Sequence, residues 1–294
     1  MDDLRPSATA LMVALSVLRR GRRHQLAPTV VEGAAHALRS ASPGWRLLYR
    51  LALSARGRRL LDSLEAWLLP ALADHHCARK RWLADRLRSE PSRQRWIWLG
   101  CGFDRSGRSL LGELAVAGQP APLELIELDH PASRRLRQNA MAELDHEPGV
   151  QSLDFRWPDD WPMLLALAAE RSSTLVLEGV AMYWSADQLM SCLSRLAQLP
   201  RPPRLLFTAL AAEPSLGTVD RWLRLQREPF AWRLDSVDLR RQLAALGYHC
   251  TNDWRGHCLG EYGVDMQWLA EAVPTTDQKL GRAPRPTEPA TELS

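Results

Sequence analysis

A glycine turn carries the clearest chemical signal in the sequence. The segment "WIWLGCGFD" (96–104) begins as an apolar run of strand length and breaks at Gly100 and Gly102. Glycine at a turn lets a ligand approach the backbone closely, because no side chain occupies the ligand's volume. In an open parallel sheet, ligands bind beyond the carboxyl ends of the strands, beside the first one. We therefore expect the ligand of this protein to lie against this turn.

The residues that follow the two glycines favour a cationic ligand over a dinucleotide. A dinucleotide fingerprint has a third glycine three residues later and brings a pyrophosphate to the helix N-terminus. This chain has Arg105 there, preceded by Asp104, and that carboxylate would repel a pyrophosphate. S-adenosylmethionine has no phosphate and carries an ammonium and a sulfonium. The turn is therefore predicted to bind this cofactor, with Asp104 near its positive charge.

A second acidic signal lies in "LELIELDHP" (123–131), where an apolar run ends in Glu127 and Asp129. An acidic side chain at the end of this strand accepts hydrogen bonds from the hydroxyls of a ribose in adenosine-containing cofactors. The pair therefore predicts a nucleoside, without choosing between NAD and S-adenosylmethionine.

The elements that must position these residues form an alternating pattern after residue 90. Short apolar runs at 96–100, 123–128, 173–179 and 204–210 are typical of strands buried on both faces of a parallel sheet. Helical patterns lie between them, one with Ser185 as its N-cap, and residues 261–272 are predicted to include a last antiparallel strand. Strands alternating with helices predict a doubly wound α/β fold of the Rossmann-like kind.

The chain divides into three predicted regions. Residues 1–90 read as helices with arginine-rich polar faces and are expected to form a helical region and lid; residues 91–273 form the α/β core that binds the cofactor. Residues 274–294 are rich in Pro, Thr and Glu and are expected to be disordered. Trp222, Phe230 and Trp232 are candidate pocket walls in a segment that completes the lid.

Composition excludes several classes of function. The chain has 294 residues, 46% of them hydrophobic, and a net charge of +4 supplied almost wholly by arginine, since Lys80 and Lys279 are its only lysines. The basic segment 19–24 is interpreted as a solvated face and not as a nucleic-acid site. No apolar run reaches the roughly 20 residues that cross a bilayer. We expect a cytoplasmic protein with no membrane partner; its oligomeric state is left open.

A metal site is not expected. The five cysteines are predicted to be free thiols, because their number is odd and they form no dense framework. The cluster "HCTNDWRGHC" (249–258) holds two histidines and two cysteines, but its spacings match no common zinc site.

Five motifs in one order resemble those of a known family. They are "ARKRWLADRL" (78–87), "RQRWIWLGCGFD" (93–104), "LELIELDHP" (123–131), "LDFR" (153–156) and "TLVLEGVAMYW" (174–184). Together they look like the successive motifs of the leucine carboxyl methyltransferase family, class I S-adenosylmethionine-dependent methyltransferases, including its bacterial small-molecule branch. The resemblance covers roughly residues 75–190 and implies the class I methyltransferase fold.

The resemblance implies a role for individual residues. Arg79 matches an arginine that engages the methionine carboxylate of the cofactor, and Glu178 matches the glutamate beneath its methionine end. Asp154 and Phe155 match the step where a side chain and a backbone amide contact adenine, and Tyr183 matches a tyrosine facing the transfer site. The remaining matches are the glycine that touches the cofactor, Gly100, and the acidic pair of the ribose strand, Glu127 with Asp129.

The chain departs from the family pattern after the glycine turn. Where the family has arginines two and five positions past the aspartate, this chain has Ser106 and Ser109, and its arginines stand at Arg105 and Arg108. A shift of one residue rotates a helical side chain by about 100°. The role of these two arginines, and any inference about the substrate from them, is left open.

The predicted reaction is methylation of a carboxylate of a small biosynthetic molecule to its methyl ester. A carboxylic acid with a pKa near 4 is already ionised at neutral pH, so the reaction needs no general base, and Tyr183 is expected to position the acceptor. A protein C-terminal carboxylate is an alternative acceptor. A hydroxyl is another, and would require a base such as His130 or His249. Two readings from other classes are a nicotinamide-dependent oxidoreductase and a non-catalytic binding protein on the same fold.

Overall fold

A computed structural model of the chain describes residues 6–68, 71–89, 94–142, 144, 148–210, 224, 231, 236–255 and 267–275. The predicted pocket walls 222, 230 and 232, the second half of the histidine–cysteine cluster (257 and 258) and the tail from 276 onwards lie outside these residues. No helix in these ranges is long and apolar enough to span a membrane.

Five helices come first, as the sequence predicts. They are α1 (Ala8–Arg20), α2 (Pro28–Ser40), α3 (Pro43–Leu53), α4 (Ala55–Leu68) and α5 (Leu72–Ser89). The Ser7 hydroxyl accepts a hydrogen bond from the Ala10 amide at 3.1 Å and so caps α1. α2 and α3 each begin with a proline, whose missing N–H costs nothing in the first turn.

The remaining elements alternate. They are β1 (Arg95–Leu99), α6 (Ser106–Val116), β2 (Glu124–Asp129), α7 (Pro131–Met141), β3 (Val150–Asp154), α8 (Trp161–Glu170), β4 (Ser173–Leu177), a short 3₁₀ turn (Ala181–Tyr183), α9 (Ala186–Ala197), β5 (Arg204–Leu210), α10 (Ser236–Ala245), β6 (Tyr248–Arg255) and β7 (Gln267–Pro274). Ser185 caps α9 as predicted, and with Gln188 it forms a capping box.

The strands form one mostly parallel sheet with the order β3-β2-β1-β4-β5-β7-β6. β1 to β5 are parallel to one another, whereas β7 runs antiparallel between β5 and β6. The doubly wound α/β prediction is therefore confirmed. β3 was not among the predicted strands because its sequence, "VQSLD", is neither an apolar run nor a clean alternation.

Both faces of the sheet are covered, which explains why β1 is apolar throughout. Ile97 and Leu99 pack in a cluster with residues of α8 and α9, whereas Trp96 and Trp98 pack in a second cluster with residues of α5 and α6. Helix α5 thus packs against the sheet as part of the α/β core, although its sequence falls within the predicted helical region 1–90. A third cluster joins α1 and α2 to the core through Phe103 and Met141.

The order of the strands creates a switch point between β1 and β4. The chain leaves β1 towards β2 on one side and reaches β4 on the other, so the loops after β1 and β4 border a crevice. Gly100, Gly102 and Gly179 in these loops have φ of +67°, +54° and +68°, a region that favours glycine. A Cβ at Gly100 would also overlap Cγ2 of Val180, so the two loops touch at a position that only glycine permits.

Candidate functional site

Four charged side chains from three elements meet at this crevice. Arg79 and Lys80 lie on α5, Asp104 follows β1, and Glu178 follows β4; their side chains are 3–6% exposed. Nε of Arg79 donates to Oε1 of Glu178 at 2.8 Å. Nζ of Lys80 lies 2.8 Å from Oδ2 of Asp104 and 3.1 and 3.3 Å from the two oxygens of Glu178. We call these residues the four-charge cluster; its two cations balance its two anions.

The contacts within the cluster keep Asp104 and Lys80 ionised. Burial alone would raise the pKa of Asp104, but the Lys80 ammonium and the Ser106 hydrogen bonds outweigh it and hold that pKa below its usual value. Burial would likewise lower the pKa of Lys80, but Asp104 and Glu178 raise it. Asp104 therefore already has an internal cation, whereas the sequence placed it beside the positive charge of a cofactor.

Arg79 reaches from α5 to Glu178, which follows the carboxyl end of β4. The guanidinium of Arg79 also lies over Gly179, the residue after Glu178. A Cβ added to Gly179 would be 3.5 Å from Nη2 of Arg79. A guanidinium binds a carboxylate through a planar fork of donors, and a carboxylate binds an ammonium. The pair therefore fits the amino-acid end of S-adenosylmethionine, which carries both groups.

The structure separates the two acids of β2. Glu127 is buried: Nε and Nη2 of Arg108 lie 3.0 and 2.6 Å from Oε2, the Ser152 hydroxyl donates to the same oxygen at 3.0 Å, and Nη2 of Arg137 lies 3.0 Å from Oε1. Its carboxylate is thus enclosed between the sheet and the helices α6 and α7.

Asp129 lies at the end of β2, against the glycine turn. Oδ2 accepts a hydrogen bond from the Gly102 amide, and Oδ1 accepts one from the His130 amide at 2.6 Å. Burial raises the pKa of Asp129, and these two hydrogen bonds offset only part of that rise. Of the two predicted ribose ligands, it is Asp129 that the structure brings to the turn.

Of the predicted adenine residues, Asp154 ends β3 opposite Asp129 in the sheet register, and Phe155 follows it. The Asp154 side chain is 45% exposed, and Oδ1 accepts from Nη1 of Arg134 at 3.1 Å. The amide of Phe155 donates to the Asp129 carbonyl at 2.8 Å, and its ring is buried in the core. The strand pairing therefore uses the amide that the resemblance assigned to adenine.

Tyr183 lies in the 3₁₀ turn that begins four residues beyond β4. It is half-buried against the core, and its neighbour Trp184 stacks on Trp157 with ring centroids 3.9 Å apart. The loop that carries Glu178 therefore also carries Tyr183, and the aromatic stack anchors its far end.

The two displaced arginines are buried inside the protein. Arg108 pairs with Glu127, as described above. Arg105 is 3% exposed, donates through Nη2 to the Leu144 carbonyl, and packs under α2, because a Cβ at Gly33 would lie 2.6 Å from its Cδ. Both side chains hold α2 and α6 to the core, so they are not available as substrate ligands at the crevice.

Sequence reasoning missed Lys80 and Arg137. Lys80 carried a weak signal, as one of two lysines in an arginine-rich chain. Nothing local marked Arg137, which donates to Glu127 and through Nη1 to the carbonyls of Gly102 and Asp104 at 3.3 and 3.0 Å. It therefore supports the glycine turn from α7.

The strand order, the glycine turn and the charged crevice define a class I S-adenosylmethionine-dependent methyltransferase. The model of the leucine carboxyl methyltransferase family matches residues 10–197, from α1 to the end of α9. The chain belongs to this family, and it is an enzyme that uses S-adenosylmethionine. The predicted family, fold class and cofactor are confirmed.

Solved structures show the same fold at low sequence identity. A DUF574 family protein from Streptomyces avermitilis MA-4680 is 15% identical, with 74% of this chain and 90% of that chain covered and a TM-score of 0.55. A candidate methyltransferase from Thermobifida fusca YX is 14% identical, with coverages of 82% and 94% and a TM-score of 0.55. No curated protein matches the chain by sequence.

Proposed function

We propose that this enzyme methylates a carboxylate of a small biosynthetic acid and releases its methyl ester. The observation that supports it most is the buried Arg79–Glu178 pair at the switch point of the sheet. It offers a site for the amino-acid end of the cofactor within a family of carboxyl methyltransferases.

In this proposal each end of the cofactor has its own ligands. Arg79 binds the carboxylate and Glu178 the ammonium, while Asp129 accepts from the ribose hydroxyls and Asp154 from the adenine amino group. Gly100 and Gly102 let the backbone approach. Asp104 serves as the counter-ion of Lys80, and Glu127 positions α6 and α7 without touching the ligand.

The protein contributes positioning and not proton transfer. The cofactor supplies a methyl group on a sulfonium; the acceptor oxygen forms a bond to that carbon as the carbon–sulfur bond breaks, and the bonding pair stays on sulfur. An ionised acceptor carboxylate has no proton to lose. Holding both reactants in line can contribute up to about 7–11 kcal/mol, and Tyr183 is the residue we assign to orienting the acceptor.

The packing of the N-terminal helices supports a small acceptor. Ala10 of α1 closely approaches the glycine turn, since a Cβ at Gly102 would lie 3.1 Å from its Cβ, and α2 rests on Arg105 through Gly33. These helices cover the edge of the crevice next to the turn. A cover of this kind helps to exclude water from the acceptor carboxylate and leaves less room for a protein chain.

The positions of the two candidate bases support a carboxylate acceptor over a hydroxyl. Nδ1 of His130 accepts from the Ala132 amide at 3.4 Å and caps α7. His249 is exposed on β6, at the far edge of the sheet from the switch point.

The test is the chemistry of the product. The purified enzyme is incubated with S-adenosylmethionine labelled in its methyl group and with small carboxylic acids, peptides ending in a free carboxylate, and phenols. We expect label on a small acid that is released as methanol by mild alkali. Label that survives alkali would show a hydroxyl acceptor, and label on the peptides alone would show a protein acceptor. Stabilisation by NAD but not by S-adenosylhomocysteine would contradict the cofactor assignment itself.

A further inference from the structure

Lys80 stands between two carboxylates that belong to different loops. Its ammonium lies 2.8 Å from Asp104 after β1 and 3.1 Å from Glu178 after β4, and its side chain is 3% exposed. The ammonium is therefore a bridge across the crevice, joining the glycine turn to the loop after β4. No motif of the family resemblance assigned it a role.

Cofactor binding as proposed above would change the charge balance around Lys80. Without ligand, Glu178 is shared by Arg79 and Lys80. If Arg79 turns to the cofactor's carboxylate, Glu178 faces Lys80 and the cofactor's ammonium, whereas Asp104 still faces Lys80. A buried carboxylate without a cation takes up a proton, because burial disfavours the charged form. Without Lys80, Asp104 would therefore take up a proton, and the glycine turn would lose its ionic link to the loop after β4.

We propose that Lys80 is a positioning residue that keeps Asp104 ionised while Arg79 holds the cofactor, and that it fixes the two loops at the spacing the cofactor needs. This inference rests on the proposed roles of Arg79 and Glu178. Its consequence is that Lys80 makes cofactor affinity independent of pH below neutrality.

Two other titratable side chains that interact with Lys80 are His76 and Cys77 on α5. Burial, with Arg79 and the neighbouring His75 and Lys80, holds the pKa of His76 well below its usual value, and its Nδ1 lies 2.9 Å from the Ser16 hydroxyl. Burial raises the pKa of Cys77 to about 12. A new titration that appears in Lys80→Met and disappears when Asp104→Asn is added would therefore report Asp104.

The experiment measures the dissociation constant of S-adenosylhomocysteine by calorimetry from pH 5.5 to 7.5. An α-amino group has a pKa of about 7.7–8.0, so the ligand's ammonium stays mostly protonated over this range. For the wild-type protein we expect a dissociation constant that varies by no more than about twofold over this pH range. For Lys80→Met we expect at least tenfold weaker binding at pH 5.5 that recovers as pH rises, because the extra proton leaves the carboxyl pair. Lys80→Arg should restore the flat profile. With cofactor in turnover, KM should rise more than kcat falls.

Two further variants separate positioning from general stability. The double variant Lys80→Met with Asp104→Asn removes one charge of each sign. It should therefore bind S-adenosylhomocysteine more tightly than Lys80→Met alone, with most of the wild-type affinity and without the pH dependence. Arg81→Met removes an exposed cation from the same helix, one that pairs with Asp85 at 4.0 Å, and should match wild type. The melting temperature of each ligand-free variant verifies folding.

The outcomes are distinct. A Lys80→Met protein that binds like wild type at every pH, or that loses affinity equally at every pH while its melting temperature falls, overturns the inference and leaves the site intact. If wild type does not bind S-adenosylhomocysteine, or if Glu178→Gln binds it unchanged, the proposed site fails and the inference fails with it.

Discussion

At the scale of single residues, the site depends on which charged groups are already paired inside the protein. Glu127 and Asp104 have internal cations, in Arg108 with Arg137 and in Lys80. Asp129 instead accepts from two backbone amides, and these leave part of its carboxylate for a ligand, since each oxygen has two lone pairs.

Glu178→Gln should weaken cofactor binding by about tenfold to a hundredfold. A hydrogen bond to a charged group contributes about 1.5–3 kcal/mol, and the change also leaves Arg79 and Lys80 with one anion. The measurement is titration calorimetry with S-adenosylhomocysteine. Glu170→Gln is the matched control, because its side chain is 59% exposed and pairs with Arg95 away from the crevice. Asp154→Ala changes a half-exposed side chain and should weaken cofactor binding less than Glu178→Gln does.

Asp129→Asn and Glu127→Gln should affect different properties. The first should weaken cofactor binding and cost about 1–3 kcal/mol of stability, because the asparagine amide nitrogen cannot accept one of the two backbone hydrogen bonds. The second removes the charge that neutralises two buried guanidinium groups, and breaking such a pair typically costs about 3–5 kcal/mol. Urea unfolding measures the free energy of unfolding and calorimetry the affinity. Equal behaviour of the two variants in both assays would refute the separate roles assigned here.

His130→Ala should leave turnover nearly unchanged, because an ionised carboxylate needs no base and the ring caps α7. The initial rate at saturating cofactor tests this, after correction for the fraction folded. A fall of a hundredfold or more would indicate base-assisted methylation of a hydroxyl.

At the scale of elements, the two crevice loops depend on close backbone approach. Gly100→Ala should lower both the stability of the fold and the affinity for the cofactor, because the φ of Gly100 is +67° and the new Cβ overlaps Val180. Adding Val180→Ala should recover part of the loss, but not the part due to backbone strain. Gly112→Ala in α6 is the matched control, since it has no atom within 4 Å of the new Cβ and should gain up to about 1 kcal/mol of helix stability. Thermal unfolding with and without S-adenosylhomocysteine compares all four proteins.

At the scale of the whole molecule, the N-terminal helices and the sheet share a core. Leu38 of α2 is fully buried in the cluster that contains Phe103 and Met141. We therefore expect the described helices and sheet to unfold in a single transition, with coincident curves from circular dichroism and tryptophan fluorescence in urea. Leu38→Ala should shift both curves together and lower the free energy of unfolding by about 2–5 kcal/mol. Two separate transitions would show that the predicted region 1–90 is an independent unit.

The sequence by itself determined the alternation of helices and strands apart from β3, the glycine turn and the family, because these follow from local apolar patterns and motif order. It could not rank Glu127 against Asp129. The two residues lie two positions apart and so face the same side of β2, and only the packing of α6 and α7 over Glu127 separates them.

The tertiary structure also decided the partners of Asp104 and of the displaced arginines. Lys80 is 24 positions before Asp104 and 98 before Glu178 in the chain, and Arg105 finds its carbonyl acceptor at Leu144, 39 positions away. Such contacts are made by elements that meet only when the helices pack on the sheet. A carboxylate or guanidinium in a motif can serve a ligand or the fold, and the packing around it determines which.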